Sequence, residues 1–230
     1  MAILDPPGCL RCGRPFHRMT DRCADCPPAA LSWARAAFLY QGPVRQAVMR
    51  LKFGGSRAVA EGLAPAMAVA LASWMTGWDA RSPPGVPLDG GFVITWVPLG
   101  RHRRRERGFD QAEVLARSAA TALGLPARPL LRRVVETGPQ ARRNLEDRRL
   151  ALHGAFHARR ASPGRVILID DVLTTGATAA SCARVLREAG AKEVGLLTAA
   201  RSLGGPVPAR CYNPDVLLPG SVVARETLSR

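Results

Sequence analysis

The architecture of this chain turns on Val166-Ile167-Leu168-Ile169-Asp170-Asp171-Val172-Leu173-Thr174-Thr175-Gly176-Ala177-Thr178. Its opening run of branched apolar residues suits a strand covered on both faces, as at the centre of a parallel sheet. The strand is expected to end at the two adjacent carboxylates, with a glycine-containing turn over 174–178. Ala179 to Ala189 then reads as a helix stopped by Gly190, and Val194-Gly195-Leu196-Leu197-Thr198 as the next strand. Strand, helix and strand in this order predict a β-α-β unit, hence an at least partly parallel sheet with a right-handed connection.

The same stretch carries chemistry. Open α/β sheets bind ligands at the carboxyl edge of their strands, where Asp170 and Asp171 fall. Gly176 allows close backbone approach to a ligand. The helix that follows presents free N–H groups and the positive end of its dipole, a ready phosphate site. Thr174, Thr175 and Thr178 add hydroxyl donors. A phosphate held there leaves the two acids at about ribose distance, where carboxylates accept hydrogen bonds from a vicinal diol or hold magnesium through water.

Outward from this unit, Phe92 to Val97 is a second apolar run suited to a buried strand, and Ala36 to Tyr40 a third. Val44, Val48 and Leu51 recur at helical spacing before Gly54-Gly55. Val59, Leu63, Met67, Leu71 and Trp74 mark another helix, with Pro65 expected to kink it or displace its start. An arginine-rich loop is expected after Val97, then a helix bearing Ala112, Leu115, Ala119 and Leu123. Asp110 and Glu113 resemble a capping box at its start, and Gly124 lies past its end. Residues 79–91 and 126–150 read as irregular, and prolines 206, 208, 214 and 219 predict a loose tail.

Among 230 residues there are 33 Lys and Arg against 18 acids, a net charge of +15 that favours an anionic partner, small molecule or nucleic acid. Arg101, Arg103, Arg104, Arg105 and Arg107 crowd after the second strand, and Arg142, Arg143, Arg148 and Arg149 form a further basic run. Each single arginine also fits an ordinary solvated charge. No apolar run is expected to span a bilayer. Met1 to Pro7 lacks the basic and apolar regions of a signal peptide, so a cytoplasmic location is expected.

Cys9-x-x-Cys12 and Cys23-x-x-Cys26 form two knuckles separated by ten residues. In a reducing compartment this spacing points to a closed four-thiolate metal site before disulfides, with zinc the default and iron open on ligands alone. Metal binding would explain how so short and core-poor a segment folds. His17 between the knuckles reads as a bystander, Cys182 as a small core residue, and Cys211 in the tail has no reading.

The 166–178 loop resembles the 5-phosphoribosyl 1-diphosphate signature of type I phosphoribosyltransferases. Further segments narrow the likeness: Leu51-Lys52-Phe53-Gly54-Gly55, Val97-Pro98-Leu99, Arg107-Gly108-Phe109-Asp110-Gln111-Ala112, and Gln140 and Arg148 before Gly154-Ala155-Phe156. With the cysteine module, residues 9–201 resemble the ComF family of competence-associated, phosphoribosyltransferase-like proteins. Ala151 and Arg143 depart from its pattern, which commonly has Asn and an apolar residue there.

The resemblance implies an α/β, type I phosphoribosyltransferase-like fold, a mainly parallel sheet flanked by helices. It implies a four-cysteine, zinc-ribbon-like module over 1–28, a phosphoribosyltransferase-like domain over 29–201 and an irregular tail over 202–230. It implies phosphoribosyl binding at Asp170, Asp171, Val172, Thr174, Thr175, Gly176, Ala177 and Thr178, with Asp170, Asp171 and Arg107 as the catalytic candidates. A diphosphate loop is implied at Pro98, Leu99 and Gly100, with Lys52 in reach, and Gln111 is expected to brace a loop. The cofactors implied are structural zinc and magnesium, and the partners are 5-phosphoribosyl 1-diphosphate and, through competence, single-stranded DNA or DNA-uptake proteins. A phosphoribosyltransferase, a single-stranded DNA-binding accessory protein and a non-catalytic sensor of the phosphoribosyl ligand all remain open. No general base stands out: His102, His153 and His157 have no recognisable partner in the sequence.

Overall fold

The computed structural model describes residues 3–4, 8–16, 18–54, 56–75, 91–135, 154–203 and 212–213. In chain order the elements are β1 (Ile3–Leu4), β2 (Trp33–Leu39), α1 (Gly42–Phe53), α2 (Arg57–Met75), β3 (Phe92–Trp96), α3 (Arg101–Arg107), α4 (Gln111–Leu123), β4 (Leu131–Arg133), β5 (Phe156–Ala158), β6 (Arg165–Leu173), α5 (Ala177–Glu188), β7 (Glu193–Arg201) and β8 (Tyr212–Asn213). The main sheet has the order β2-β7-β6-β3 with every pairing parallel. All strand carboxyl ends therefore share one edge. β4 and β5 form a small antiparallel pair, and β1 pairs antiparallel with β8.

The uniform apolar character of these strands is explained by cover on both faces. One face packs Trp33, Phe38, Phe92, Ile94 and Ile167 against Leu63, Met67 and Leu71 of α2 and Leu115 and Ala119 of α4. The other packs Val166, Leu168 and Leu196 against Cys182 and Leu186 of α5, Phe156 of β5, and Cys9 and Cys12. The expected architecture is the one observed: a parallel sheet flanked by helices, with a four-cysteine cluster near the N-terminus.

Several local expectations are corrected. The arginine-rich segment after β3 is a helix, α3, closed by Gly108 in the left-handed conformation (φ 74°). Its side chains are all outside the core, so it has no apolar period to read. β6 does not stop at the acids but runs on through Val172 and Leu173, because Asp170 and Val172 keep their register with Thr198 and Ala200 of β7. α5 begins earlier than expected, at Ala177, with Gly176 as its N-cap. Pro65 lies inside α2 without ending it. α2, at 19 residues, is long and apolar enough to cross a membrane by length and composition, contrary to expectation. Its apolar side chains lie in the core beside the sheet and α4. In the segment expected to be a loose tail, Tyr212 and Asn213 pair with Leu4 and Ile3.

Candidate functional site

At the carboxyl edge, β6 delivers Asp170 and Asp171, and the chain turns through Thr174 and Thr175 to Gly176. Gly176 adopts φ 75°, a conformation costly for any other residue type. A Cβ there would meet Pro27 Cβ at 2.8 Å, so the turn lies tightly beneath the chain leaving the cysteine module. The Thr175 hydroxyl accepts a long hydrogen bond from Ala177 N–H (3.4 Å), and Gly176 offers no side-chain cap. The first-turn N–H groups of α5 face the same edge without intrahelical partners. Thr174 and Thr175 are exposed, and Val172, Ala177 and Thr178 half-buried.

Around the acids the structure gathers residues from three further elements. Asp171 is buried, yet both its oxygens are occupied: Lys52 Nζ of α1 lies 3.1 Å from Oδ1, and Gln111 Nε2 of α4 donates to Oδ2 at 3.2 Å. Arg107 at the end of α3 is close enough to interact electrostatically with Asp171; burial lowers its own pKa while the carboxylate raises it. Asp170 accepts a hydrogen bond from Asp171 N–H (2.8 Å). Burial and then the adjacent Asp171 charge push its carboxyl up to about 8, against the pull of that N–H and of Lys52. One acid is thus held by a cation and an amide, while the other is inclined to keep its proton.

Pro98, Leu99 and Gly100 run from β3 to α3 at the same edge. Leu99 N–H donates to Asp110 Oδ2 (2.8 Å), whose other oxygen accepts from Ala112 and Glu113 N–H at the start of α4. Asp110 therefore ties that loop to α4 as well as capping it; burial raises its pKa, and the three N–H groups lower it. Pro98 has no N–H and that of Leu99 is committed, which leaves Gly100 as the loop's backbone donor. Sequence reasoning saw Asp110 only as a cap, and missed Pro27, which has no motif linking it to Gly176. Gln140, Arg142, Arg143, Arg148, Arg149, Ala151 and His153 lie outside the described residues, as do His17, Gly55 and Cys211.

The four cysteines converge. Sγ of Cys9 lies 3.6 Å from that of Cys26, Cys12 3.5 Å from Cys23, and Cys23 3.7 Å from Cys26. These separations far exceed a disulfide bond of about 2.05 Å. They match the ~3.8 Å edge of a tetrahedron of sulfurs about 2.3 Å from a central metal. Burial raises the Cys12 and Cys23 thiols. In Cys26 burial is outweighed by hydrogen bonds, from the Cys23 backbone and from Cys9, Arg11 and Cys23 side chains, which hold it at about 7. The cluster is anchored to the sheet by arginines: Arg201 Nη1 of β7 donates to Cys12 O (2.6 Å), and Arg35 of β2 to Leu10 O. Arg11 in turn holds Pro27 O (2.8 Å) and Pro28 O (3.2 Å).

No family model matches the chain. It is 30% identical over 199 residues to the DNA utilization protein YhgH of Salmonella typhi, covering 85% of this chain and 84% of that one. The chain belongs to the ComF family. It is also 28% identical over 203 residues to Competence protein F of Haemophilus influenzae, covering 85% of each. Competence protein ComFC of Bacillus subtilis is 29% identical over 207 residues, covering 84% of this chain and 78% of that one. Among solved structures, glutamine phosphoribosylpyrophosphate amidotransferase from B. subtilis, complexed with ADP and GMP, matches 65% of the chain with a TM-score of 0.40 and 22% identity. A structure described as the allosteric regulatory enzyme of purine biosynthesis matches 66% with a TM-score of 0.39 and 21% identity. This ComF chain spans 30% of the length of either.

Proposed function

We propose that this ComF protein binds 5-phosphoribosyl 1-diphosphate with magnesium at the end of β6 and acts as a phosphoribosyltransferase in DNA uptake. One observation carries the reading: two adjacent acids lead directly into a tight Thr-Gly turn and a helix N-terminus, while Lys52, Arg107 and Gln111 converge on the same carboxylate. The 5-phosphate would rest on Thr174–Thr178 and the first-turn N–H groups of α5. Asp170 and Asp171 would accept the ribose hydroxyls, and would hold magnesium through water. Such a metal supplies charge stabilisation for the departing diphosphate. From the chain itself, the Gly100 N–H, Lys52 and Arg107 are the groups positioned to stabilise negative charge as diphosphate leaves C1. Lys52 has three N–H donors, so it can hold Asp171 and turn a further N–H to the diphosphate.

The names of the relatives support a role in competence and DNA use. The exposed arginine helix α3 supports contact with single-stranded DNA phosphates as a second activity. The sulfur geometry supports zinc as a structural ion held by Cys9, Cys12, Cys23 and Cys26.

Calorimetric titration with 5-phosphoribosyl 1-diphosphate and magnesium tests the assignment against the double variant Asp170→Asn, Asp171→Asn. Saturable binding is expected in the parent and loss of binding in the variant, with fold and metal content retained. Unchanged affinity in the variant refutes it.

A further inference from the structure

Pro27 follows the last of the four clustered cysteines and is buried, although the described residues from Cys9 to Leu31 form no helix or strand to hold it. Its position is set by the sulfur cluster instead. Cys26 before it carries one of the converging sulfurs. Arg11, inside the first knuckle, donates to Pro27 O (2.8 Å), Pro28 O (3.2 Å) and Leu31 O (2.9 Å). Both knuckles therefore bear on one residue. Four thiolates this close repel unless a cation holds them, so a bound metal is what closes the segment and fixes Pro27.

Against the other side of Pro27 lies the phosphate turn. A Cβ on Gly176 would stand 2.8 Å from Pro27 Cβ and 3.7 Å from its Cα, so the glycine backbone rests directly on the proline. The turn has little bracing of its own: the Thr175 hydroxyl reaches Ala177 N–H only at 3.4 Å, and Gly176 provides no side-chain cap for α5. Its start is tied to the module as well. Leu173 packs in the same core cluster as Cys9 and Cys12, and Arg201, its register partner in β7, donates to Cys12 O. The backbone donors that would receive a phosphate are thus aimed from outside, by a segment that a metal holds together.

We propose that Pro27 is a positioning residue for the phosphate turn, through which zinc at the four cysteines and a sugar phosphate at Gly176 favour one another's binding. The proposal rests on the phosphoribosyl reading of Asp170–Thr178 and on the zinc reading of the cluster, and adds what joins them. A metal-closed module presents the turn already ordered, whereas an open one leaves that ordering to be done as the ligand binds. Linkage then runs both ways: if zinc tightens the sugar phosphate by some factor, the sugar phosphate tightens zinc by the same factor. The four-cysteine site acts in this way as a regulator of the phosphate site, and no bond is made or broken between them.

Two variants of the zinc-loaded full chain separate the roles: Pro27→Ala keeps a Cβ against Gly176, and Pro27→Gly removes it. In calorimetric titration with ribose 5-phosphate, Pro27→Ala should bind within about twofold of the parent and Pro27→Gly about 5- to 150-fold more weakly, with zinc stoichiometric in all three. Zinc affinity, measured by competition with a chelator, should rise by a factor in that range when ribose 5-phosphate saturates the parent. It should not rise in Pro27→Gly, nor in the Asp170→Asn, Asp171→Asn double variant. Equal zinc affinity with and without ribose 5-phosphate in the parent overturns the linkage, and coupling that survives in Pro27→Gly overturns the role of Pro27. If Pro27→Gly only melts at a lower temperature, with both affinities as in the parent, its role is structural and the proposal is refuted. If the parent takes up no zinc, or no ribose 5-phosphate, the reading of that site falls and the linkage with it.

Discussion

Replacing Gly176 by alanine probes the point where the cysteine module meets the phosphate turn. Two costs are expected. The left-handed backbone (φ 75°) disfavours any Cβ by about 1–2 kcal/mol. The new methyl would also sit 2.8 Å from Pro27 Cβ, well inside the ~3.5–4.0 Å of ordinary carbon contact, while Leu173 Cδ1 at 3.4 Å would merely touch it. Pro27 is poorly placed to retreat, since Arg11 holds its carbonyl and that of Pro28, and Cys26 before it belongs to the sulfur cluster. Overpacking of this kind costs about 1–3 kcal/mol. The total comes to about 2–5 kcal/mol.

Gly108→Ala is the control: φ there is 74°, with nothing within 4 Å of the added carbon, so only the backbone cost of about 1–2 kcal/mol applies. Urea unfolding of the metal-loaded protein, followed by far-ultraviolet dichroism, measures both. Pro27→Gly in the Gly176→Ala background removes the opposing Cβ, and the pair forms a double-mutant cycle. The double variant should recover the packing component but not the backbone one. Equal losses for Gly176→Ala and Gly108→Ala would mean that Pro27 yields freely, and the tight seating of the turn beneath the module would be refuted.

Asp170 predicts a pH dependence. Its carboxyl is raised from about 3.8 to about 8 in the folded chain, so the folded state holds a proton that the unfolded state has released. The stabilisation is full below about pH 4 and is lost as pH rises through 8; urea midpoints of parent and Asp170→Asn between pH 5 and 8.5 should differ in slope, and parallel curves would contradict the assignment. Cys23→Ser should abolish stoichiometric zinc, measured by elemental analysis, and lower the melting temperature; retained zinc would exclude Cys23 as a ligand. Arg201→Met removes the donor to Cys12 O and should cost about 1–3 kcal/mol, from that one buried acceptor left unsatisfied, since the exposed Asp25 carbonyl turns to water. A loss under about 1 kcal/mol in urea unfolding would show that water replaces it.

What the sequence revealed and what it hid have a common cause. Val166–Ile169 and Val194–Thr198 were legible because strands covered on both faces leave unbroken apolar runs. The cysteine knuckles were legible because metal geometry fixes their spacing. α3 was misread as a loop because periodicity is visible only where a helix buries a face, and Arg101–Arg107 buries none. The continuation of β6 was missed because acids are rare in strands; Asp171 is tolerated there by Lys52 and Gln111, which approach from elements more than fifty residues away. β4 and β5, of three residues each, are too short to show alternation. The contacts of Gln111 with Asp171 and of Pro27 with Gly176 are tertiary and have no local sequence signal.

The two buried arginines link the cysteine cluster to the phosphate turn. Within the loop bearing the knuckles, backbone N–H groups reach the carbonyls of Gly8, Cys9, Arg14, Thr20, Asp21 and Cys23, while those of Leu10 and Cys12 take outside donors. The sheet supplies them as Arg35 and Arg201, at the cost of burying charge; burial lowers the Arg35 guanidinium to about 9, against the pull of Cys12 and Cys9. Zinc held by four thiolates would carry a formal charge of two minus, and two adjacent guanidinium groups carry the opposite sum. Burial of the arginines and ionisation of the cysteines then support one another. Arg201 is also the register partner of Leu173, the residue before Thr174. The charge that balances the cluster therefore sits on the strand that sets the start of the phosphate turn, and loss of the metal would disturb both at once.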